Sequence, residues 1–257
     1  MDVLLERDGP VATIVLNRPE RLNALANRMR ETVAAHVRDL DRDLQCRVMV
    51  LTGAGTAFCA GGDIESMEAF DDEAARRTLA ASQTMSRTVN LAEKPVIGAI
   101  RGACAGGGMS LALACDMRIA SETARFTMTF RRIGLVPDIG GLFYLTQLLG
   151  LAQAKDLVFS ARSVGAAEAL ELGLVNRVVP DADLESATRS LANELAASPP
   201  IALANSKRML RGLYMPSLEQ LLAFEFEIQS RLLLSEDHKE ACRAFLEKRK
   251  PHAFQGR

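Results

Sequence analysis

At 257 residues the chain is long enough for one large domain, or a domain with an appendage, around a substantial core. Hydrophobic residues at 48% and charged residues at 25% are near the averages for soluble globular proteins. The formal net charge of -1 gives no electrostatic reason to bind nucleic acid or an anionic membrane. The five cysteines (Cys46, Cys59, Cys104, Cys115, Cys242) form no C-x-x-C pair and no metal-ligand spacing with the three histidines, which predicts free thiols in a reducing cytoplasm and no metal.

The chain opens as a β-hairpin. Val3-Leu4-Leu5-Glu6 and Val11-Ala12-Thr13-Ile14-Val15-Leu16 flank Asp8-Gly9-Pro10, a strong turn signal. No secretory signal pattern is read in it, because Met1 to Arg7 alternates like a strand and carries acids early. A helix is predicted over 26–44, with Met29, Val33, Val37 and Leu40 on one face. Apolar β-branched runs at 47–52 and 96–100 read as strands bracketing a helix at 72–92, and a short strand follows at 117–120. Residues 95–115, the stretch most like a membrane span, contain Arg101 and five glycines and divide into strand, turn and helix. This alternation argues for an α/β fold with strands buried on both faces.

Beyond about residue 140 the pattern changes. Short helices are expected at 144–149, 152–159 and 166–172, one more strand at 174–179, then only helices at 181–197, 200–211, 217–233 and 236–248. Pro199-Pro200 and Pro216 fit helix starts. The last two helices carry long apolar faces (Leu218, Leu221, Leu222, Phe224, Phe226 and Ile228, then Cys242, Phe245 and Leu246), and a neighbouring subunit is a good candidate to cover them. The expected division is a core over 1–199 that holds the active site and a helical assembly region over 200–257.

Two glycine-rich turns about forty-five residues apart carry the functional signal. Phe58-Cys59-Ala60-Gly61-Gly62-Asp63-Ile64 follows one apolar strand, and Arg101-Gly102-Ala103-Cys104-Ala105-Gly106-Gly107-Gly108 follows the other. Turns with so little side chain can aim backbone N–H groups at a ligand oxygen, and two of them on adjacent strands can share one oxygen as an oxyanion hole. The competing reading is tight strand–helix packing. A hole suits a carbonyl that gains negative charge, such as a thioester passing through an enolate.

Six segments in order resemble the enoyl-CoA hydratase/isomerase (crotonase) superfamily over essentially the whole chain. They are 16–25 (Leu16-Asn17-Arg18-Pro19-Glu20-Arg21-Leu22-Asn23-Ala24-Leu25), 57–64, Lys94-Pro95-Val96-Ile97 with Gly106-Gly107-Gly108, 134–141 (Gly134-Leu135-Val136-Pro137-Asp138-Ile139-Gly140-Gly141), 167–175 and 245–249. The resemblance implies a crotonase-type spiral of stacked ββα units with a helical C-terminal region, assembled as a homotrimer or a dimer of trimers. It implies an acyl-CoA thioester substrate, with coenzyme A as part of the substrate and no separate cofactor. The oxyanion-hole donors it implies are the N–H groups of Ala60 and Gly107, with Gly107 opening a helix at 108–114 whose N-terminal partial charge favours an enolate.

The two glutamates that hydratases carry match Ser110 and Phe130 here, which are a poor base and no base at all. Asp138 remains, at the position where isomerase-type members use an aspartate. Its competing role is a helix N-cap. An apolar pocket to which Phe130 and Phe143 contribute would raise its pKa toward useful base strength.

The resemblance places Arg18 and Arg21 near the adenosine phosphate and Ala24, Asp63 and Ile64 along the pantetheine and adenine, and Gly62, Gly106, Ser110, Phe130 and Pro137 are expected among the substrate contacts. It places Phe245 and Lys248 where residues approach CoA from a neighbouring subunit. For Arg18, Arg21 and Lys248 a solvated surface is the alternative, and for Glu65 and Glu68 exposure is favoured over the acyl pocket. Asp116 reads as structural, and His36, His238 and His252 as surface or helix-face residues. Three functions stay open: an isomerase of unsaturated acyl-CoA using Asp138, another crotonase-type reaction including weak hydration, and a non-catalytic CoA-binding or assembly protein.

Overall fold

The computed structural model describes residues 1–26, 28–67, 71–212 and 235–257, with the side chains of Phe245 and Leu246 outside that description. The hairpin pairs β1 (Val3–Asp8) with β2 (Val11–Leu16), and Gly9 supplies the positive φ of +56° at the turn. From β2 onward the sheet is parallel. β3 (Val48–Gly53), β4 (Val96–Ile100), β6 (Met117–Ser121) and β9 (Arg177–Val179) extend it in the order β1-β2-β3-β4-β6-β9. A second sheet of three strands is made of β5 (Ala103–Ala105), β7 (Arg125–Thr127) and β8 (Val164–Gly165), in the order β5-β7-β8.

Strand alternation divides the core between the two faces of the large sheet. Ile14, Leu16, Met49, Leu51, Val96 and Ile100 pack with α1 (Met29–Arg42), α3 (Asp72–Leu91) and α4 (Gly107–Ala114). Val48, Val50, Ile97, Ala99 and Ile119 face Leu184, Leu191 and Ala192 of α7 (Leu184–Ala196). Successive side chains on a strand point to opposite faces, so near-continuous apolar runs are what a sheet covered on both sides requires. α4 is buried at every one of its eight residues.

The remaining described helices are α2 (Ile64–Met67), α5 (Gly141–Ser160), α6 (Ala166–Glu171), α8 (Pro200–Gly212) and α9 (Glu236–Leu246). α5 is broken at Gly150, whose φ of +74° splits it into the two short helices that the sequence predicts. Pairing at 174–179 begins only at Arg177, because the N–H groups of Leu174 and Val175 donate back to Ala169 O at the end of α6. The predicted helix at 217–233, with most of the apolar face proposed for assembly, lies outside the described residues. Among the described residues no helix is long and apolar enough to cross a membrane.

Asp116 is structural as expected. Its carboxylate accepts from Val96 N–H at 2.8 Å and from Lys207 Nζ of α8 at 2.6 Å.

Candidate active site

The two glycine turns are joined edge to edge. Phe58 N–H donates to Arg101 O, Cys59 N–H to Ala103 O, and Ala105 N–H to Cys59 O, so the first turn runs as a short strand beside β5. Gly108 permits the approach, since a Cβ there would overlap Cys59 O. Gly61, at φ +106°, lies so close that a Cβ on it would be 3.4 Å from Gly107 N.

The amide hydrogen bonds distinguish between the N–H groups of the first glycine turn. Ala60 N–H donates to Leu22 O at 2.9 Å and is therefore engaged within the protein. Gly106 N–H is likewise taken, by Thr127 O at 2.9 Å. Gly62 N–H and Gly107 N–H have no acceptor among the described residues. A Cβ added to Gly107 would lie 3.9 Å from Gly62 N and 3.8 Å from Asp138 Oδ1, so both amides and the carboxylate border one small space. The amide left free in the first turn is thus that of Gly62, two residues on from Ala60. The turn winds back on itself at Gly61, and spacing alone does not show which amide the neighbouring loop 18–23 consumes. Gly107 is the first residue of α4, so the helix dipole also favours a developing negative charge there.

Asp138 does not cap a helix with its side chain. α5 is capped by Gly140 without a side-chain bond, and Gly141 N–H donates instead to the backbone oxygen of Asp138 at 2.9 Å. Asp138 Oδ1 is buried and accepts no hydrogen bond. Burial pushes the carboxyl pKa up, against the pull of the Arg30 cation and of its own backbone N–H. Ile139, next in the chain, is buried with a φ of +58°, a left-handed conformation that is an outlier for a β-branched residue. Ser86 Oγ holds it by donating to Ile139 O at 2.7 Å, and Tyr144 Oη lies 3.0 Å from the same hydroxyl.

Gly62, Gly107 and Asp138 line a cavity of about 320 Å³, at the small end of the range for small-molecule sites, whose walls include Leu25, Ile64, Leu79, Phe130 and Ile139. Ala60 and Gly106 also line it. Phe130 is a buried apolar wall, as expected. Phe143 is half exposed, packs edge-on against Tyr144 and lines a different cavity, so it does not desolvate Asp138. Ser110 is fully buried on α4 and outside the cavity lining. A Cβ on Gly141 would overlap its Oγ, which has no hydrogen-bond partner. Pro137 is half-buried beside Asp138 and outside the lining.

The two arginines assigned to CoA are paired within the protein. Arg18 Nη1 donates to Asp63 Oδ2 and to Ala24 O, both at 2.9 Å, while Arg21 forms a fork to Glu65 at 2.6 and 2.9 Å. Glu65 is exposed and turned to Arg21, and Glu68 lies outside the described residues. Ala24 is buried, Ile64 is exposed at the cavity, and Lys248 is exposed at the end of α9. The side chain of Phe245 lies outside the described residues. His238 has a neighbour one turn on, with Nε2 3.5 Å from Cys242 Sγ.

Two residues escaped the sequence reading. Asn23 is fully buried at φ +57° and ties the loops together, with its amide nitrogen donating to Ala54 O and Ala57 O and its Oδ1 accepting from Arg18 N–H. Arg30, only 7% exposed, lines the cavity with Asp138, and its Nε has no hydrogen-bond partner. The signal for Arg30 was its position three and four residues before Val33 and Ala34, on the buried face of α1.

The profile of the enoyl-CoA hydratase/isomerase family matches residues 6–257. The chain is 37% identical to a short-chain-enoyl-CoA hydratase of Clostridium acetobutylicum, over 100% of this chain and 98% of that one. It is 35% identical to the 1,2-epoxyphenylacetyl-CoA isomerase of Escherichia coli over 97% of both. The crystal structure of an enoyl-CoA hydratase from Bacillus anthracis superposes with a TM-score of 0.96 at 33% identity, covering 100% of both chains. With two sheets, a buried helix behind paired glycine turns and matches over its full length, the chain has the crotonase-type α/β fold and belongs to the enoyl-CoA hydratase/isomerase family.

Proposed function

We propose that the protein is an enoyl-CoA isomerase that shifts a double bond in an unsaturated acyl-CoA thioester. One observation carries this reading: the only carboxylate lining the cavity among its described residues is Asp138, half-buried, with an Oδ1 that is fully buried and accepts no hydrogen bond, beside two amides that have no acceptor among the described residues. A 1,3-proton shift needs one base. Asp138 takes the proton α to the thioester of a 3-enoyl group, and the electron pair moves into a dienolate whose oxygen is held by Gly62 N–H and Gly107 N–H. The same carboxyl returns the proton at the γ carbon and leaves the 2-enoyl thioester. Atoms and electrons balance with the substrate alone, coenzyme A being part of it. A pKa raised by burial suits a group that must both take and give the proton.

Arg18, Arg21, Ala24, Asp63, Ile64 and Lys248 remain the proposed contacts for the coenzyme A portion, and Ala60 a wall rather than a donor. Assembly through the 200–257 region as a trimer or pair of trimers belongs to the same proposal.

Hydration is the second reading, favoured by relatives named as hydratases, including the one 37% identical. Against it, the resemblance matches the two hydratase glutamates to Ser110 and Phe130, a poor base and no base at all. Incubation of the protein with 3-enoyl-CoA and with 2-enoyl-CoA separates the two. The isomerase reading expects interconversion of the enoyl isomers. Accumulation of 3-hydroxyacyl-CoA as the dominant product would replace it with hydration.

A further inference from the structure

Arg30 has no place in the proton shift, yet its environment is costly for an idle side chain. A guanidinium stays charged in proteins, and a buried charge without a partner is destabilising. The Arg30 side chain is only 7% exposed, and its Nε is buried without an acceptor among the described residues. Its Nη2 lies 3.8 Å from the point a Gly62 Cβ would occupy, which sets the guanidinium beside the proposed hole. Asp138 attracts Arg30 through space, yet its buried Oδ1 accepts no hydrogen bond, so that oxygen does not satisfy Arg30 Nε. The surrounding walls are mostly apolar: Leu25, Met67, Leu79, Ile133 and Leu135. The hydroxyl of Ser82 is engaged with Thr78 O at 2.8 Å.

We propose that Arg30 is a specificity-determining residue that selects short acyl-CoA thioesters whose acyl group ends in a carboxylate. A plain alkyl tail would cover the guanidinium and leave its donors unpaired. A terminal carboxylate supplies charge-assisted bonds, and Arg presents the planar fork that carboxylates fit. The small cavity and the position of Nη2 near the proposed hole keep the acyl group short. The inference rests on the reading of this cavity as the acyl site of an acyl-CoA thioester.

Saturated thioesters test it apart from any isomerisation, because they bind without reacting. Binding of glutaryl-CoA and pentanoyl-CoA, equal in length and differing in the terminal group, is measured by calorimetry on the full-length protein. Glutaryl-CoA is expected to bind about 10- to 100-fold more tightly, the scale of one or two hydrogen bonds to charged groups. In Arg30→Met that ratio collapses toward one, and in Arg30→Lys part of it remains, with melting temperatures confirming folded protein. A wild-type preference for pentanoyl-CoA overturns the proposal, as does a ratio unchanged by Arg30→Met. If Arg30 served only to hold Asp138 ionised, its removal would move the pH profile of α-proton exchange and leave the binding ratio intact. Absence of binding by either thioester overturns the acyl-site reading and this inference together, whereas a preserved ratio without isomerase activity leaves this one standing.

Discussion

Substitution of Gly107 by alanine places a methyl group between the proposed base, Asp138, and the proposed hole. Its Cβ would lie 3.8 Å from Asp138 Oδ1 and 3.9 Å from Gly62 N, in the space that the α carbon and carbonyl of a substrate must bridge. The fold has little reason to object. Gly107 is the first residue of α4 with an unexceptional φ, and alanine in a helix is favoured over glycine by up to about 1 kcal/mol. The one close contact is Ile139 Cδ1 at 3.0 Å, the end of a flexible side chain, and its displacement costs about 1 kcal/mol, the low end for overpacking. The two effects offset, so the melting temperature should stay within a few degrees of wild type. Catalysis should not survive equally well. Alanine keeps the N–H, but its methyl holds the thioester oxygen away from it, and a hole donor made unreachable costs about as much as one removed, about 10²- to 10³-fold in turnover, or about 3–4 kcal/mol. Stopped-flow measurement of enoyl isomerisation with calorimetric melting reads both quantities. Wild-type turnover in Gly107→Ala would show that the reaction does not pass between Gly62, Gly107 and Asp138.

Because Asp138 must be ionised to take the proton, activity should rise with pH through its pKa, which burial sets above the ordinary carboxylate value of 3.8; a profile flat down to pH 4 would contradict this. A folded-state pKa above the unfolded one means the native state binds more protons in that window, so Asp138 lowers stability as pH rises through it; Asp138→Asn should therefore melt at or above the wild-type temperature at neutral pH. Ser110→Ala removes a buried hydroxyl without a partner, and both turnover and stability should change little, checked by the same assays. Lys207→Met strips the largely buried Asp116 of its cation at 2.6 Å and should destabilise the fold by about 3 kcal/mol in urea unfolding, with partial recovery on adding Asp116→Asn.

Most of the architecture was legible because its signals are local. The hairpin turn at Asp8-Gly9-Pro10, the apolar runs of β3 and β4 and the break in α5 each follow from a few adjacent residues. The second sheet was not, since β5, β7 and β8 are two or three residues long and owe their pairing to distant chain segments. The site was half legible for the same reason. Asp138 and the glycine turns stand out in the sequence, but which amide is free depends on Leu22 O taking the one at Ala60. Phe143 was drawn toward the base by nearness in sequence, whereas α5 turns it to another cavity. Arg30 resembles any helix-surface cation until its register against Val33 and Val37 is weighed.

The central claim is that Asp138 moves the proton while Gly62 and Gly107 hold the enolate oxygen. Exchange of the α proton of a bound acyl-CoA with deuterated water, followed by NMR in wild type and Asp138→Asn, tests it most directly. Asparagine keeps the size of the side chain and removes its basicity, and exchange should fall by about 10³-fold or more while binding of coenzyme A is retained, given that general-base catalysis contributes about 10²- to 10⁴-fold. Exchange at the wild-type rate in Asp138→Asn would remove Asp138 from the mechanism.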